Sequence, residues 1–349
     1  IACACAPRRS AAAAGILCQH AGSAGALTHA VRIAIPPDLS PDQLAGRARA
    51  GRIVTLGGPT MGTSWSAMLV DPPANCQAAI EDGLARIIDQ MSNWGADSAI
   101  SRFNRTPVGD WMTLPPDMLT VLRAGLDMAR LSNGAFDPAI GALVDQWGFG
   151  PAALPRPAPL TDSPPWQAIE LDGDKARRIA HVALDFSGIA KGFAVDAMAA
   201  GLRALGVANF LIEIGGELRG DGVKPDMQPW WVDVEPPPGL AIPVLRIALC
   251  GLSVATSGDY RRFRMEGDAR LSHSIDPARG APIPQGVASV TVLHEHAMLA
   301  DAWATTITVM GPARGMALAT RHALPARLVL RTDDGAQEYM TPALARMLE

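Results

Sequence analysis

Residues 184–222 read LDFSGIAKGFAVDAMAAGLRALGVANFLIEIGGELRGDG. Asp185 closes a short apolar run, a glycine turn follows, and Lys191 falls in the first turn of a predicted helix. Ile189, Phe193, Ala197 and Leu202 lie on roughly one side of that helix, and Gly206 ends it. A strand over Asn209–Ile214 then runs into Gly215-Gly216. A carboxylate, a free helix N-terminus and a lysine this close together can grip a phosphate and its cation. The same residues also fit an ordinary strand–helix–strand unit with a C-capping glycine. Taken alone, the stretch leaves both readings open.

Bulk properties narrow the classes. The chain has 349 residues, 48% of them hydrophobic and 18% charged, which is the composition of a globular protein with ample core. A net charge of -4 gives no electrostatic footprint for nucleic acid. No apolar run is long enough for a spanning helix. Three of the five cysteines (Cys3, Cys5, Cys18, Cys76, Cys250) fall in the first 18 residues, and none has zinc-site spacing or argues for a disulfide framework. Pro7-Arg8-Arg9-Ser10 followed by Ala11–Ala14 faintly resembles a twin-arginine signal, but Gln19 and His20 interrupt the apolar run early. Residues 1–45 are expected to be a poorly defined N-terminal segment and 46–349 a single domain.

Outward from the opening stretch, Arg52–Gly57 and Thr63–Val70 read as strands joined through residues 58–62. Helices are expected over Asn75–Asn93, up to Arg102, over Pro116–Leu131 and from Ala135 to Trp147. The segment 148–165 is a Pro-rich connection. Trp230–Glu235, Leu245–Cys250 and Ser253–Thr256 read as strands of one antiparallel sheet. A hairpin is expected about residues 266–268, then a strand at Ala288–His294, helices at Leu299–Met310 and Pro312–His322, and a final strand at Arg327–Thr332. The predicted class is α+β, with mixed, largely antiparallel sheets and helices packed on them.

The chemistry-bearing residues are few. The chain lacks the dinucleotide, Walker, H-E-x-x-H and G-x-S-x-G motifs. His294-Glu295-His296 reads as a solvated strand end, because adjacent strand residues point to opposite faces. Asp301 and Thr305 share one helix face, and two hard oxygen donors suit Mg²⁺. They also fit a first-turn acid and a packed hydroxyl. His273 stands where a strand gives way to a turn and could take a proton from a hydroxyl, or could be a structural hydrogen-bonder. Thr256-Ser257-Gly258-Asp259-Tyr260 reads as a turn with clustered hydroxyls, suited to anion binding or to turn chemistry alone.

Eight segments occur in order, T-M-G-T (60–63), M-S-N-W…S-R-F-N (91–104), S-N-G-A-F-D-P (132–138), L-D-F-S-G-I-A-K-G (184–192), I-G-G-E-L (214–218), T-S-G-D-Y (256–260), S-H-S-I-D-P-A-R-G-A-P (272–282) and A-D-A-W-A-T (300–305), and together they resemble the ApbE family of FAD:protein FMN transferases. The resemblance implies a two-lobed α+β architecture of the ApbE, T-fold-like kind, with FAD in the cleft. It implies Mg²⁺-dependent transfer of FMN from FAD to a threonine of a target protein, a membrane redox complex subunit or flavoprotein, with release of AMP. FAD contacts are then implied for Met61, Trp94, Ala135, Phe136, Asp137, Asp185, Lys191 and Ile275. The metal ligands implied are Asp301, Thr305 and the Gly188 carbonyl, with His273 as general base. Alternatives within the same reading are an FAD pyrophosphatase and a flavin-binding protein without turnover.

This chain departs from the family at several places. Trp94 stands where tyrosine is frequent, and Glu217 where aspartate is usual, a position expected on the surface. The 148–165 connection looks shorter and less helical. The resemblance implies a periplasmic or inner-membrane setting; without a clear signal or lipobox in the sequence, a cytoplasmic one is the alternative.

Overall fold

The computed structural model describes residues 30–39, 44, 50–151, 165–260, 263–266, 269–284 and 286–348. An edge strand β1 (Val31–Ala34) precedes the hairpin β2 (Ile53–Thr60) and β3 (Thr63–Val70). Helices α1 (Cys76–Met91), α2 (Ala99–Arg105), α3 (Pro116–Ser132) and α4 (Gly141–Gln146) follow, with β4 (Met112–Thr113) before α3. The hairpin β5 (Ile169–Asp172) and β6 (Lys175–Arg178) leads to α5 (Ala190–Ala204), β7 (Phe210–Ile214) and β8 (Glu217–Asp221). Next come β9 (Trp230–Val234), β10 (Val244–Leu249), β11 (Leu252–Gly258), β12 (Phe263–Glu266) and β13 (Ala269–Ser272). The short pair β14 (Ile275–Asp276) and β15 (Ala281–Pro282) precedes β16 (Val287–His294) and α6 (Ala297–Arg321). β17 (Ala326–Thr332), β18 (Gly335–Met340) and α7 (Pro342–Ala345) close the described chain.

Eight strands make one central antiparallel sheet in the order β18-β17-β16-β11-β8-β7-β3-β2. Strand alternation splits its side chains between two cores. Trp65, Ala67, Leu69, Phe210, Ile212, Ile214, Val290 and Val292 pack with the helices on one face. Val70, Leu211, Leu218, Val254 and Leu293 pack on the other against Trp230, Val232, Leu245 and Ile247 of the small sheet β1-β10-β9. The α+β, largely antiparallel class is as expected, and the sheet is covered on both sides.

Local punctuation follows the residues. α1 buries Cys76, Ile80, Leu84, Ile87 and Met91 at helical spacing. α3 stops at Asn133, which is left-handed (φ 52), before Gly134. α6 breaks at Gly311 (φ 74) before Pro312, which gives the two helices expected there.

Several expectations need correction. Residues 58–60 belong to β2, so Met61-Gly62 alone makes the turn. Residues 135–140 are a tight turn and α4 begins only at Gly141. β11 lies in the central sheet, whereas β9 and β10 are in the small sheet, so the three strands do not form one sheet. Thr256–Gly258 are strand rather than turn. Within the segment set aside as 1–45, Val31–Ala34 pairs in parallel with β10. Most of the 148–165 connection lies outside the described residues.

Candidate functional site

Leu184 and Asp185 are held by side chains far away in sequence. The Asn104 amide donates to the Leu184 carbonyl (3.0 Å) and accepts the Leu184 N–H (2.7 Å), as a neighbouring strand would. The Asn93 amide donates to the Asp185 carboxylate (2.9 Å) and to the Leu184 carbonyl (3.3 Å). The second Asp185 oxygen accepts from the Ser187 N–H (2.8 Å), and the Asp185 N–H donates to the Pro138 carbonyl (2.9 Å). The segments 91–104, 132–138 and 184–192 therefore converge on the Leu184-Asp185 pair. Asn93 Oδ1 is buried with no hydrogen-bond partner in the described structure, beside Trp94, which is 68% exposed. Neither asparagine was singled out from the sequence; the interval of roughly 80 to 90 residues hides the contact.

The helix N-terminus at Lys191 is not free as expected. The Ala190 N–H donates to the Phe186 carbonyl (2.8 Å), and the Gly192 N–H donates to Asp301 Oδ2 (3.1 Å). Asp301 on α6 thus serves as the acceptor at the start of α5. It is buried, and that burial pushes its carboxyl pKa up against the pull of the Lys191 ammonium and the Gly192 N–H. Lys191 in turn pairs with Glu217 Oε1 at 2.5 Å. Glu217 is only 2% exposed, so the surface position expected for it is wrong. A buried carboxylate needs a counter-charge, and Lys191 supplies it across the α5–β8 contact.

One α6 turn beyond Asp301, Thr305 meets Gly188. A Cβ built on Gly188 would lie 2.9 Å from Thr305 Oγ1 and 3.1 Å from its methyl, so only glycine lets the two approach. The Ser257 hydroxyl of β11 lies 3.4 Å from Thr305 Oγ1, a contact the turn reading of 256–260 did not anticipate. Met61 (φ 47) and Gly62 (φ 73) form the two-residue hairpin turn that needs positive φ twice. A methionine there is strained, and such strain concentrates at functional sites. The Gly215-Gly216 turn sits beside it, with the Gly215 N–H donating to the Ser64 carbonyl (3.2 Å). Glu217 follows that turn directly and links it to Lys191.

The remaining candidates lie on other supports. Phe136 is buried, and Ala135 precedes it in the turn after α3. Asp137 is buried and accepts the N–H groups of Ala139 (2.8 Å) and Trp166 (3.1 Å). Ile275 is buried in β14, and His273, just before it, stands edge-on to Phe149 with ring centroids 6.4 Å apart. His294 ends β16 and His296 stands two residues beyond it, with rings 5.8 Å apart, and no cluster of three metal-ligating side chains occurs among the described residues.

The ApbE family model matches residues 61–328. The chain belongs to the ApbE family. A FAD:protein FMN transferase of Vibrio cholerae is 36% identical over 319 residues, covering 87% of this chain and 96% of the relative. One from Haemophilus influenzae is 32% identical over 327 residues, covering 88% and 94%. Among solved structures, the apo flavinyl transferase ApbE of Pseudomonas stutzeri aligns with a TM-score of 0.78 at 34% identity, over 86% of this chain and 98% of that one.

The donor set of this ApbE-family chain fits a hard divalent cation. A buried carboxylate, a hydroxyl and a backbone carbonyl are all oxygen ligands, few enough to leave places for water and substrate phosphate. The close Gly188–Thr305 approach brings two of these residues together.

Burial moves Asp137 from its ordinary 3.8 up to about 7, with the two backbone N–H groups opposing the shift. A folded pKa above the unfolded one means that stability is fully present below pH 4 and falls as pH rises towards 7. Asp137→Asn cannot ionise. The Tm of the variant minus that of wild type is therefore expected to grow by about 5 °C between pH 5 and pH 8. Parallel Tm curves for the two proteins would contradict the assignment.

Proposed function

We propose that this protein transfers FMN from FAD to a threonine hydroxyl of a target flavoprotein and releases AMP. The observation that carries the reading is the convergence of Gly188, Asp301 and Thr305 at the α5–α6 junction, in a chain that matches FAD:protein FMN transferases over almost their whole length. The Gly188 carbonyl, the Asp301 carboxylate and the Thr305 hydroxyl would hold Mg²⁺. When bound, that ion neutralises charge on the pyrophosphate oxygens and on departing AMP.

The protein's own groups have separate tasks. Asp185, fixed by Asn93 and Ser187, and the exposed Trp94 indole orient the nucleotide; the indole offers a face for a flat ring. Lys191, tied to Glu217, keeps one positive charge at a fixed place near Asp301. His273 takes the proton of the acceptor hydroxyl. The threonine oxygen then bonds to the FMN phosphorus, the bond from that phosphorus to the bridging oxygen breaks, and AMP leaves with that oxygen. The acceptor belongs to a membrane redox complex subunit or another flavoprotein.

His273→Ala is expected to slow transfer about 10²–10³-fold while FAD affinity changes less than about threefold. Loss of FAD binding would make His273 a ligand contact instead. Chromatography of AMP from FAD and Mg²⁺, with and without a threonine-bearing acceptor domain, tests the function itself. Release that depends on acceptor supports transfer; equal release of AMP and FMN either way would make the protein a pyrophosphatase.

A further inference from the structure

The start of α6 cannot cap itself. His296 occupies the capping position without a side-chain cap bond, which leaves the first N–H groups of the helix to be satisfied from elsewhere. Asp196 of α5 does so with both oxygens: Oδ1 accepts from the Ala297 N–H (3.0 Å) and Oδ2 from the Met298 N–H (2.9 Å). Arg219 of β8, itself buried, braces the same end. Its guanidinium reaches Asp196 Oδ1 (3.4 Å), Ser253 Oγ of β11 (3.3 Å) and the Glu295 carbonyl.

The two helices cap one another. Asp301 of α6 accepts the Gly192 N–H near the start of α5, and Asp196 of α5 accepts two N–H groups at the start of α6. The contact is so close that a Cβ on Gly192 would lie 2.2 Å from the Ala297 carbonyl oxygen. Asp301 and Thr305 sit about one and two turns from Ala297, so a displacement of that end carries both with it. Groups that orient metal ligands without touching the metal are commonly worth about 10–100-fold in affinity.

We propose that Asp196 is a positioning residue of the active site, setting Asp301 and Thr305 through the N-terminus of α6. The inference rests on the metal reading given above, and one titration separates the two. Mn²⁺ serves as the probe, with free aqueous Mn²⁺ followed by electron paramagnetic resonance. Asp196→Asn keeps the shape but sets an amide NH₂ against one backbone N–H, and it is expected to weaken Mn²⁺ binding about tenfold or more. Asp196→Glu keeps the charge, displaces the carboxylate by one methylene, and is expected to weaken binding too; it stands in if the asparagine variant does not fold. Thr341→Ala removes another buried cap, from α7, and should lower Tm without changing Mn²⁺ affinity. Wild-type affinity in the Asp196 variants with loss in Asp301→Ala would overturn the inference alone. Equal weakening by Thr341→Ala would reduce it to general stability and also overturn it. Unchanged binding in Asp301→Ala would remove the metal reading and the inference together.

Discussion

Asp301→Ala is expected to cut Mg²⁺-dependent AMP release from FAD by about 10³-fold or more, while FAD binding weakens far less. The first effect follows from losing the one charged donor of the proposed metal site, which the cation needs to compete with water. The second follows because Asp185, Asn93 and Trp94 sit on other elements that do not depend on Asp301. Stability should change little, because two terms oppose each other. The Gly192 N–H loses its acceptor, at a cost of about 1–3 kcal/mol. A carboxylate whose ionisation is opposed by burial is removed at the same time. AMP chromatography with circular dichroism on the same sample checks both points. Unchanged activity would show that the metal assignment is wrong.

Gly192→Ala is expected to be the most damaging small substitution on α5. Its Cβ would meet the Ala297 carbonyl oxygen at 2.2 Å, the Ala297 carbonyl carbon at 2.6 Å and Met298 Cα at 2.8 Å. All three are backbone atoms, so no rotamer relieves the clash and the helices must separate. Separation stretches the Asp301–Gly192 bond and the Asp196 cap together. We expect a loss of about 3 kcal/mol or more in urea unfolding. AMP release should fall at least tenfold even where the variant is folded. Gly201 lies on the same helix, and a Cβ there meets nothing within 4 Å. Gly201→Ala is therefore expected to stabilise by about 0.5–1 kcal/mol. Similar unfolding midpoints for the two variants would contradict the close-approach argument.

What could be read from residues 184–222 was the local part. The helix, its glycine stop, the strand into Gly215-Gly216 and the placement of Asp185 and Lys191 follow from spacing and turn chemistry, and α5, β7 and the turn are where expected. What could not be read was which distant group occupies each polar atom. Asp301 satisfies the Gly192 N–H from 109 residues away, so an N-terminus that looks free in sequence is taken in the fold. Glu217 reads as a surface residue by type and is buried because Lys191 meets it across two elements. β6 escaped notice because Lys175-Ala176-Arg177-Arg178 looks like loop; Arg178 is tolerated inside because its guanidinium donates to the carbonyls of Val182 and Thr106. β18 is short and half-exposed, with no apolar run to mark it. Ser257 was visible as a hydroxyl, and only the strand pairing of β11 brings it to Thr305.

The most direct test is the fate of the FMN half of FAD. The protein is incubated with FAD, Mg²⁺ and a folded acceptor domain carrying one exposed threonine, and the acceptor is weighed by mass spectrometry. The account predicts one FMN joined to that threonine per acceptor, with AMP released in equal amount and no product when the threonine is replaced by valine. An acceptor of unchanged mass, while FMN and AMP accumulate in solution, would contradict it.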